Sequence, residues 1–591
     1  MNMAMTKKRW SVVVPSALAA LGSCSPAAAG GGWGAPTAPS LSSEAAADAG
    51  RPNILLIVID DWGTDKSGLY SSFADDEIAI PTPTIDAIAA HGVRFANAWA
   101  SPNCSPSRAT LVTGQYPSRN GVRDVIEVEA AVGIDPGDPW LLPRLMTGGG
   151  YRTGMIGKWH LSSESDNVQN DSPLACGFDF WTGTNGSFGP DADNFPFTDP
   201  SYYVTPPIQC DVGVTPRVCA EAPTWRTQLE YQNETDLTQI LREQYQPSYH
   251  VDQAINWINA PSDGKPWFMY LAFQSPHAPF VLPPKHLVSD ELRARVEAKV
   301  RQVNSDPSYQ YREGERFLSF RITEAPDPPD ARPPTAPMPD PVLARAAYAA
   351  MVAAVDTEIL RLLRQIDLRN TYVVVLGDNG TDGAVIDPDR AGFPGADANE
   401  RGKGTLFQGG IAIPLIMASY DVVSPGRTSS SLVHSSDVYS TILELAGITI
   451  PDSTEVTIDG ISVLHELQSP GDSGSARRVS WSDYGPNPPS NSRDNPNDTP
   501  WGYAIRDYRY KLMSEALYDE TGAVQCTVEL PPGEVCETWN WEAVSRLYDL
   551  LEDPTEQVDL LADGEAQLPF PLFARLTLLR LEQALIFHSF K

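Results

Sequence analysis

The two stretches that most restrict the fold are Asn53-Ile54-Leu55-Leu56-Ile57-Val58-Ile59 and Thr371-Tyr372-Val373-Val374-Val375-Leu376. Both are unbroken apolar runs, ending in Asp60-Asp61 and, one residue on, in Asp378-Asn379. A strand without alternation has no face to give to water, so both read as central strands of a parallel sheet covered by helices on two sides. Further strands predicted at 93–100, 151–158, 267–273 and 411–417 alternate with helices at 84–91, 141–147, 248–259, 285–302, 342–366 and 437–446. That alternation predicts an α/β fold, a large mostly parallel or mixed sheet sandwiched by helices. The helix at 342–366 is expected to be amphipathic. Residues 163–246 lack periodicity and read as an insertion on the face that the acidic pairs mark. Near 465–475 the chain turns rich in Ser, Gly and Asp; strand-and-turn material around 503–506 and 510–513 follows, then a last helix at 572–586.

A chain of 591 residues exceeds one simple core, so two domains are expected. The boundaries read as a signal peptide at 1–24, a flexible Ala/Gly/Ser/Pro linker at 25–50, a catalytic α/β domain at 51–470 and a C-terminal α+β subdomain at 471–591. A net charge of −32 argues against a nucleic-acid partner, which needs a basic face. Lys7-Lys8-Arg9 and the apolar run that follows form an export signal. Two cleavage readings stand: a lipoprotein site with a lipid anchor on Cys24, or small-residue cleavage at Ala27-Ala28-Ala29. Either puts the chain in the periplasm, on the outer membrane or outside the cell. Of seven cysteines, Cys210 with Cys219 and Cys526 with Cys536 are each spaced for a local disulfide, and Cys176 is left over. Oligomeric state is not legible.

Chemistry concentrates around Cys104-Ser105-Pro106-Ser107-Arg108. Pro106 suits a first helical turn and Ser105 an N-cap, which places Cys104 just ahead of a helix N-terminus, where anions bind. Asp60, Asp61, Asp378 and Asn379 end two central strands, and ligands of open α/β sheets bind at carboxyl ends. Three carboxylates and an amide converging there repel one another without a hard cation, Ca²⁺ or Mg²⁺. Lys158 and His160, at i and i+2 on an extended segment, project to one face. His277 in Ser-Pro-His-Ala-Pro ends another strand, and Lys403 lies in Gly-Lys-Gly-Thr-Leu-Phe-Gln-Gly-Gly.

Cys-x-Pro-x-Arg followed by Thr-Gly, the acidic pairs, Gly-Lys-Trp-His, His277 and the Lys403 segment resemble the formylglycine-dependent sulfatases of the alkaline phosphatase superfamily. The chain departs from the family pattern at Gln408 and Ala412, where Glu and often Arg are usual. The resemblance implies that Cys104 is oxidised to formylglycine by a maturase and that Asp60, Asp61, Asp378, Asn379 and residue 104 bind the metal. That metal is most often Ca²⁺, with Mg²⁺ or Mn²⁺ behind it. It also implies that Lys158, His277 and Lys403 bind substrate sulfate, that Arg108 and His160 complete the catalytic set, and that Lys403 or His277 protonates the leaving group. Leu547-Tyr548-Asp549-Leu550 running to Pro554 resembles the family's C-terminal subdomain, a small antiparallel sheet packed with a helix. The implied activity is hydrolysis of a sulfate monoester of a small molecule or glycan. The alternatives are a phosphonate monoester or phosphodiester hydrolase of the superfamily, and a catalytically silent binder of sulfated ligands.

Overall fold

The computed structural model describes residues 50–73, 80–126, 133–162, 172–184, 186, 229–232, 238–241, 244–262, 264–278, 280–317, 341–387, 401–449, 456–471, 476–485, 502–515, 545–562 and 568–589. The export segment, Cys24, the linker up to residue 49 and both candidate disulfide pairs lie outside them.

The chain opens with β1 (Asn53–Ile59), α1 (Pro83–Ala90), β2 (Gly92–Trp99), α2 (Cys104–Thr113), α3 (Pro117–Asn120), α4 (Leu142–Gly148), β3 (Arg152–Lys158), α5 (Ser172–Ala175) and β4 (Phe180–Thr184). Next come β5 (Leu229–Gln232), β6 (Thr238–Leu241), α6 (Gln246–Asn259), β7 (Trp267–Phe273), β8 (Phe280–Val281), α7 (Asp290–Asn304) and β9 (Arg316–Phe317). After α8 (Pro341–Leu363) come β10 (Thr371–Gly377), α9 (Gln408–Ile411), β11 (Leu415–Ala418), β12 (Arg427–His434), α10 (Ser435–Leu445) and α11 (Leu464–Gln468). The last part is β13 (Ser480–Tyr484), β14 (Gly502–Arg506), β15 (Tyr510–Glu515), β16 (Ser545–Asp549) and α12 (Phe570–Ser589).

Ten strands form one sheet in the order β12-β2-β11-β10-β1-β7-β3-β4-β5-β6. It is parallel from β10 through β4 and between β12 and β2; β11 is antiparallel to both of its neighbours, and β5 and β6 add an antiparallel edge. The expected mixed sheet is present. Its two faces are dry, as the apolar runs required: Leu55, Ile57 and Ile59 of β1 join a core with α6 and α8, while Ile54, Leu56 and Val58 join one with α2, α4 and α10.

Three elements differ from expectation. The helix at 342–366 is not amphipathic: α8 is buried around nearly its whole girth from Leu343 to Val355, because its many alanines let the sheet and neighbouring helices approach on all sides. The helix at 285–302 breaks at Ser289, whose hydroxyl caps α7 by accepting from the Leu292 N–H at 3.2 Å. Strand 411–417 is two elements, α9 ending at Ile411 and β11 starting at Leu415.

A four-stranded antiparallel sheet, β13-β14-β15-β16, follows. One of its faces packs Leu576 and Leu579 of α12 against Trp481, Tyr503, Leu512 and Leu547. The other packs Ala504, Met513 and Tyr548 on Trp99, Leu406, Phe407 and Ile411. No helix among the described residues is long and apolar enough to cross a membrane.

His434 joins the end of β12 to α10 as an N-cap. Its Nδ1 accepts from the Ser436 N–H at 3.2 Å, and its own N–H donates to Asp437 Oδ2 at 2.8 Å. Burial first, and then the nearby Arg477 charge, hold this imidazole well below its usual range. The folded pKa is therefore below the unfolded one, so the stability His434 contributes is present above about pH 6.5 and declines as pH falls below it. His434→Asn keeps a cap acceptor without a titrating ring. In thermal unfolding scans from pH 7.5 to 5, wild type is expected to lose more Tm than this variant; parallel curves would sink the assignment.

Candidate active site

β1, β7, β3 and β10 lie side by side and end level with one another, with Ile59 in register with Gly377 and with Phe273. The residues just past those ends therefore meet. Asp61 adopts φ +57°, in the left-handed region that costs a non-glycine residue strain. It is held there by its N–H to Asp378 Oδ1 (3.1 Å) and by Tyr348 of α8, whose hydroxyl donates to the Asp61 carbonyl (2.8 Å). On β3, Gly157 has φ +101°, and a Cβ there would stand 1.9 Å from the Ala272 carbonyl of β7. Only glycine lets the strands close directly ahead of Lys158.

Cys104 is 1% exposed and is the first residue of α2, with Asn103 as N-cap. Ser105 does not cap the helix as expected; its hydroxyl accepts from the Ile126 N–H at 3.1 Å. Cys104 Sγ is 3.5 Å from Asp60 Oδ1. Arg108, one turn into α2 and fully buried, donates from Nε and Nη2 to Asp378 Oδ2 at 3.0 and 2.8 Å, and from Nη1 to the Lys158 carbonyl at 2.6 Å. Lys158 Nζ is 2.7 Å from Asp60 Oδ2, and Lys403 Nζ is 2.7 Å from Asp61 Oδ1. His277 Nε2 stands 3.7 Å from Asp61 Oδ2. Asn379 Nδ2 donates to Asp61 Oδ1 at 2.8 Å. All ten expected residues thus gather at the carboxyl end of the sheet, His160 beside them as a buried residue with φ +58°.

Three cations, two imidazoles and three carboxylates set each other's ionisation here. Burial would raise Asp60, but Lys158, then His277, Arg108 and Lys403, pull its carboxyl well below the usual range. Asp378 moves the other way: burial and the Asp60 charge push it up to about 6 against Arg108. Burial pushes the Cys104 thiol up to about 12. Burial would lower Lys403, but Asp61 together with Cys104 and Asp60 holds it well above its usual range. Burial and the neighbouring Lys158 and Arg108 charges lower His160, which is neutral at pH 7.

The donor set fits a hard cation. Asp61 Oδ2 and Asn379 Oδ1 are both buried without a hydrogen-bond partner, which is costly unless something binds them. Ligand atoms of Asp60, Asp61, Cys104 and His277 lie within 4.8 Å of one another. His277 Nδ1 faces the Ala278 carbonyl at 2.7 Å and must carry the hydrogen, so a neutral ring aims its Nε2 lone pair at Asp61. Two acceptors facing each other call for a cation or a proton between them. Tyr348, a lone aromatic in an alanine-rich helix, carries no local signal, and neither does Asp124, which accepts from Asn103 Nδ2 at 2.8 Å beside residue 104.

A family model described as Sulfatase matches residues 52–448. Human N-acetylgalactosamine-6-sulfatase is 29% identical over 427 residues, covering 70% of this chain and 66% of its own, just under two thirds. Arylsulfatase A of Bos taurus is 26% identical, covering 89% of this chain and 87% of its own. Among solved structures, a protein in complex with its substrate D-glucosamine-2-N,6-O-disulfate superimposes with TM-score 0.56 at 20% identity, covering 90% and 98% of the two chains. The phosphonate monoester hydrolase of Agrobacterium radiobacter does so with TM-score 0.54 at 19% identity, covering 91% and 96%.

Proposed function

The chain belongs to the sulfatase family, and from that premise we propose that it hydrolyses sulfate monoesters to an alcohol and inorganic sulfate, with formylglycine made from Cys104 as the nucleophile. The observation that carries this reading is the seating of residue 104: at a helix N-terminus, 3.5 Å from Asp60 Oδ1, in a cluster with Arg108, Lys158, Lys403, His160 and His277. An anion is drawn to such a cluster, and a leaving alkoxide needs one.

Asp60, Asp61, Asp378, Asn379 and residue 104 would hold the divalent ion, Ca²⁺ ahead of Mg²⁺ or Mn²⁺. When bound, the ion neutralises sulfate charge and favours an ionised hydroxyl. The hydrated aldehyde supplies that hydroxyl and a second on the same carbon, neither of which a thiol offers. Arg108 fixes Asp378 and the Lys158 carbonyl, so that the acidic cluster keeps its shape. Lys158, His277 and Lys403 hold the sulfate oxygens. Lys403 Nζ, or His277 Nε2 when that ring is protonated, gives a proton to the departing oxygen. His160, neutral and with Nδ1 lacking a hydrogen-bond partner, takes a proton from residue 104.

Sulfated sugars are the first substrates to try, since relatives named for them share the family. The proposal includes export, with Cys24 as a candidate lipid anchor, and a maturase as partner. The test compares 4-nitrophenyl sulfate with a 4-nitrophenyl phosphonate ester, on protein whose aldehyde has been verified by peptide mass spectrometry. A higher kcat/KM on the sulfate is expected; preference for the phosphonate would move the chain to the alternative hydrolase class. Calcium at 100 times its Kd should stabilise the fold by about 2.7 kcal/mol. Adding a chelator should therefore lower Tm, and an unchanged Tm would count against the ion site.

A further inference from the structure

The loop that carries Lys403 is tied to the site by its backbone. The Lys403 N–H donates to the Thr381 carbonyl and the Gly404 N–H to the Pro102 carbonyl, both at 2.9 Å. Its far side rests on two buried residues outside the ten described above, Lys511 and Glu556. Lys511 of β15 is fully buried, ion-paired with Glu556, and donates to the Leu406 carbonyl at 2.5 Å. Glu556, 1% exposed at φ +59°, accepts the Gln408 N–H at 2.7 Å on Oε2, and its carbonyl accepts from Arg401 Nη1 at 2.8 Å. Two residues thus grip the loop at 401, 406 and 408, on both sides of position 403.

A buried ion pair is poor evidence for stability, since desolvation offsets much of its attraction. What it does supply is direction: a carboxylate and an ammonium that pair with each other and also bond particular backbone groups fix those groups in place. We propose that Lys511 and Glu556 are positioning residues for Lys403, holding the loop so that its ammonium stays at Asp61 and the leaving-group oxygen. The inference rests on the sulfatase reading above.

The experiment is a double-mutant cycle on aldehyde-bearing protein, with two substrates differing in leaving group: 4-nitrophenyl sulfate, whose leaving group departs without a proton, and an alkyl sulfate ester of a sugar, which needs one. Glu556→Gln should lower kcat on the alkyl ester about 10- to 100-fold, the scale of a misplaced catalytic group, and change the aryl ester far less. In a Lys403→Met background, Glu556→Gln should add no further loss. Should Glu556→Gln alone fold poorly, Lys511→Met/Glu556→Gln removes both charges and is expected to show the same leaving-group pattern. Equal losses on both esters, or additive losses in the Lys403→Met background, would overturn the positioning role. No sulfatase activity in wild type, or no effect of Lys403→Met, would instead count against the reading beneath it.

Discussion

Cys104→Ala, produced beside a maturase and purified like wild type, folds with little change in Tm and hydrolyses sulfate esters about 10⁴- to 10⁶-fold more slowly, as removal of a nucleophile does elsewhere. The fold should survive because residue 104 is a small buried side chain whose contact in the structure is a 3.5 Å approach to Asp60. The activity should not, because the remaining lysines, imidazoles and acids can bind a sulfate and still have nothing to attack it with. The discriminating measurement is a pair of numbers on one sample: Tm and kcat/KM. Activity retained within tenfold of wild type would show that another group attacks sulfur.

Arg108→Met has the second large effect, on stability as well as rate. Arg108 is fully buried and is fixed by two bonds to Asp378 and one to the Lys158 carbonyl. Removing it leaves a carboxylate in the core without its partner, a loss of about 3–5 kcal/mol. Against a typical total of about 5–15 kcal/mol, that is enough to shift the unfolding midpoint in urea plainly. Arg108→Lys should recover part of the stability and little of the rate, because an ammonium cannot span Asp378 and the Lys158 carbonyl as a planar fork does. Equal urea midpoints for wild type and Arg108→Met would mean that Asp378 finds another cation.

The central strands were legible because an apolar run stops and Asp60-Asp61, or Asp378-Asn379, follows; the other six candidate residues stood out through their resemblance to the family's motifs. What stayed hidden depends on distant partners. β12 reads Arg-Thr-Ser-Ser-Ser-Leu-Val-His, hardly a buried strand, yet Ser429 and Ser431 are inside because Glu466 accepts from their hydroxyls at 3.2 and 2.7 Å. β4, β5 and β6 interrupt a region of weak periodicity, and β5 and β6 are only four residues long. The burial of α8 on all sides was masked by its alanines, which score as weakly apolar on every face. Nothing in spacing pairs Arg108 with Asp378, or Lys511 with Glu556; those facts belong to the folded sheet alone.

Strand order also sets a clock. β1 sits at the centre, but its two neighbours, β7 and β10, are encoded roughly 200 and 300 residues downstream. At about 5–20 residues per second of synthesis, the most apolar strand waits on the order of 10 s to a minute before it can pair on both sides. Through that interval it is exposed hydrophobic chain, in need of a holding chaperone. Residue 104, 1% exposed in the finished molecule, is in the same interval open to the oxidation proposed for it.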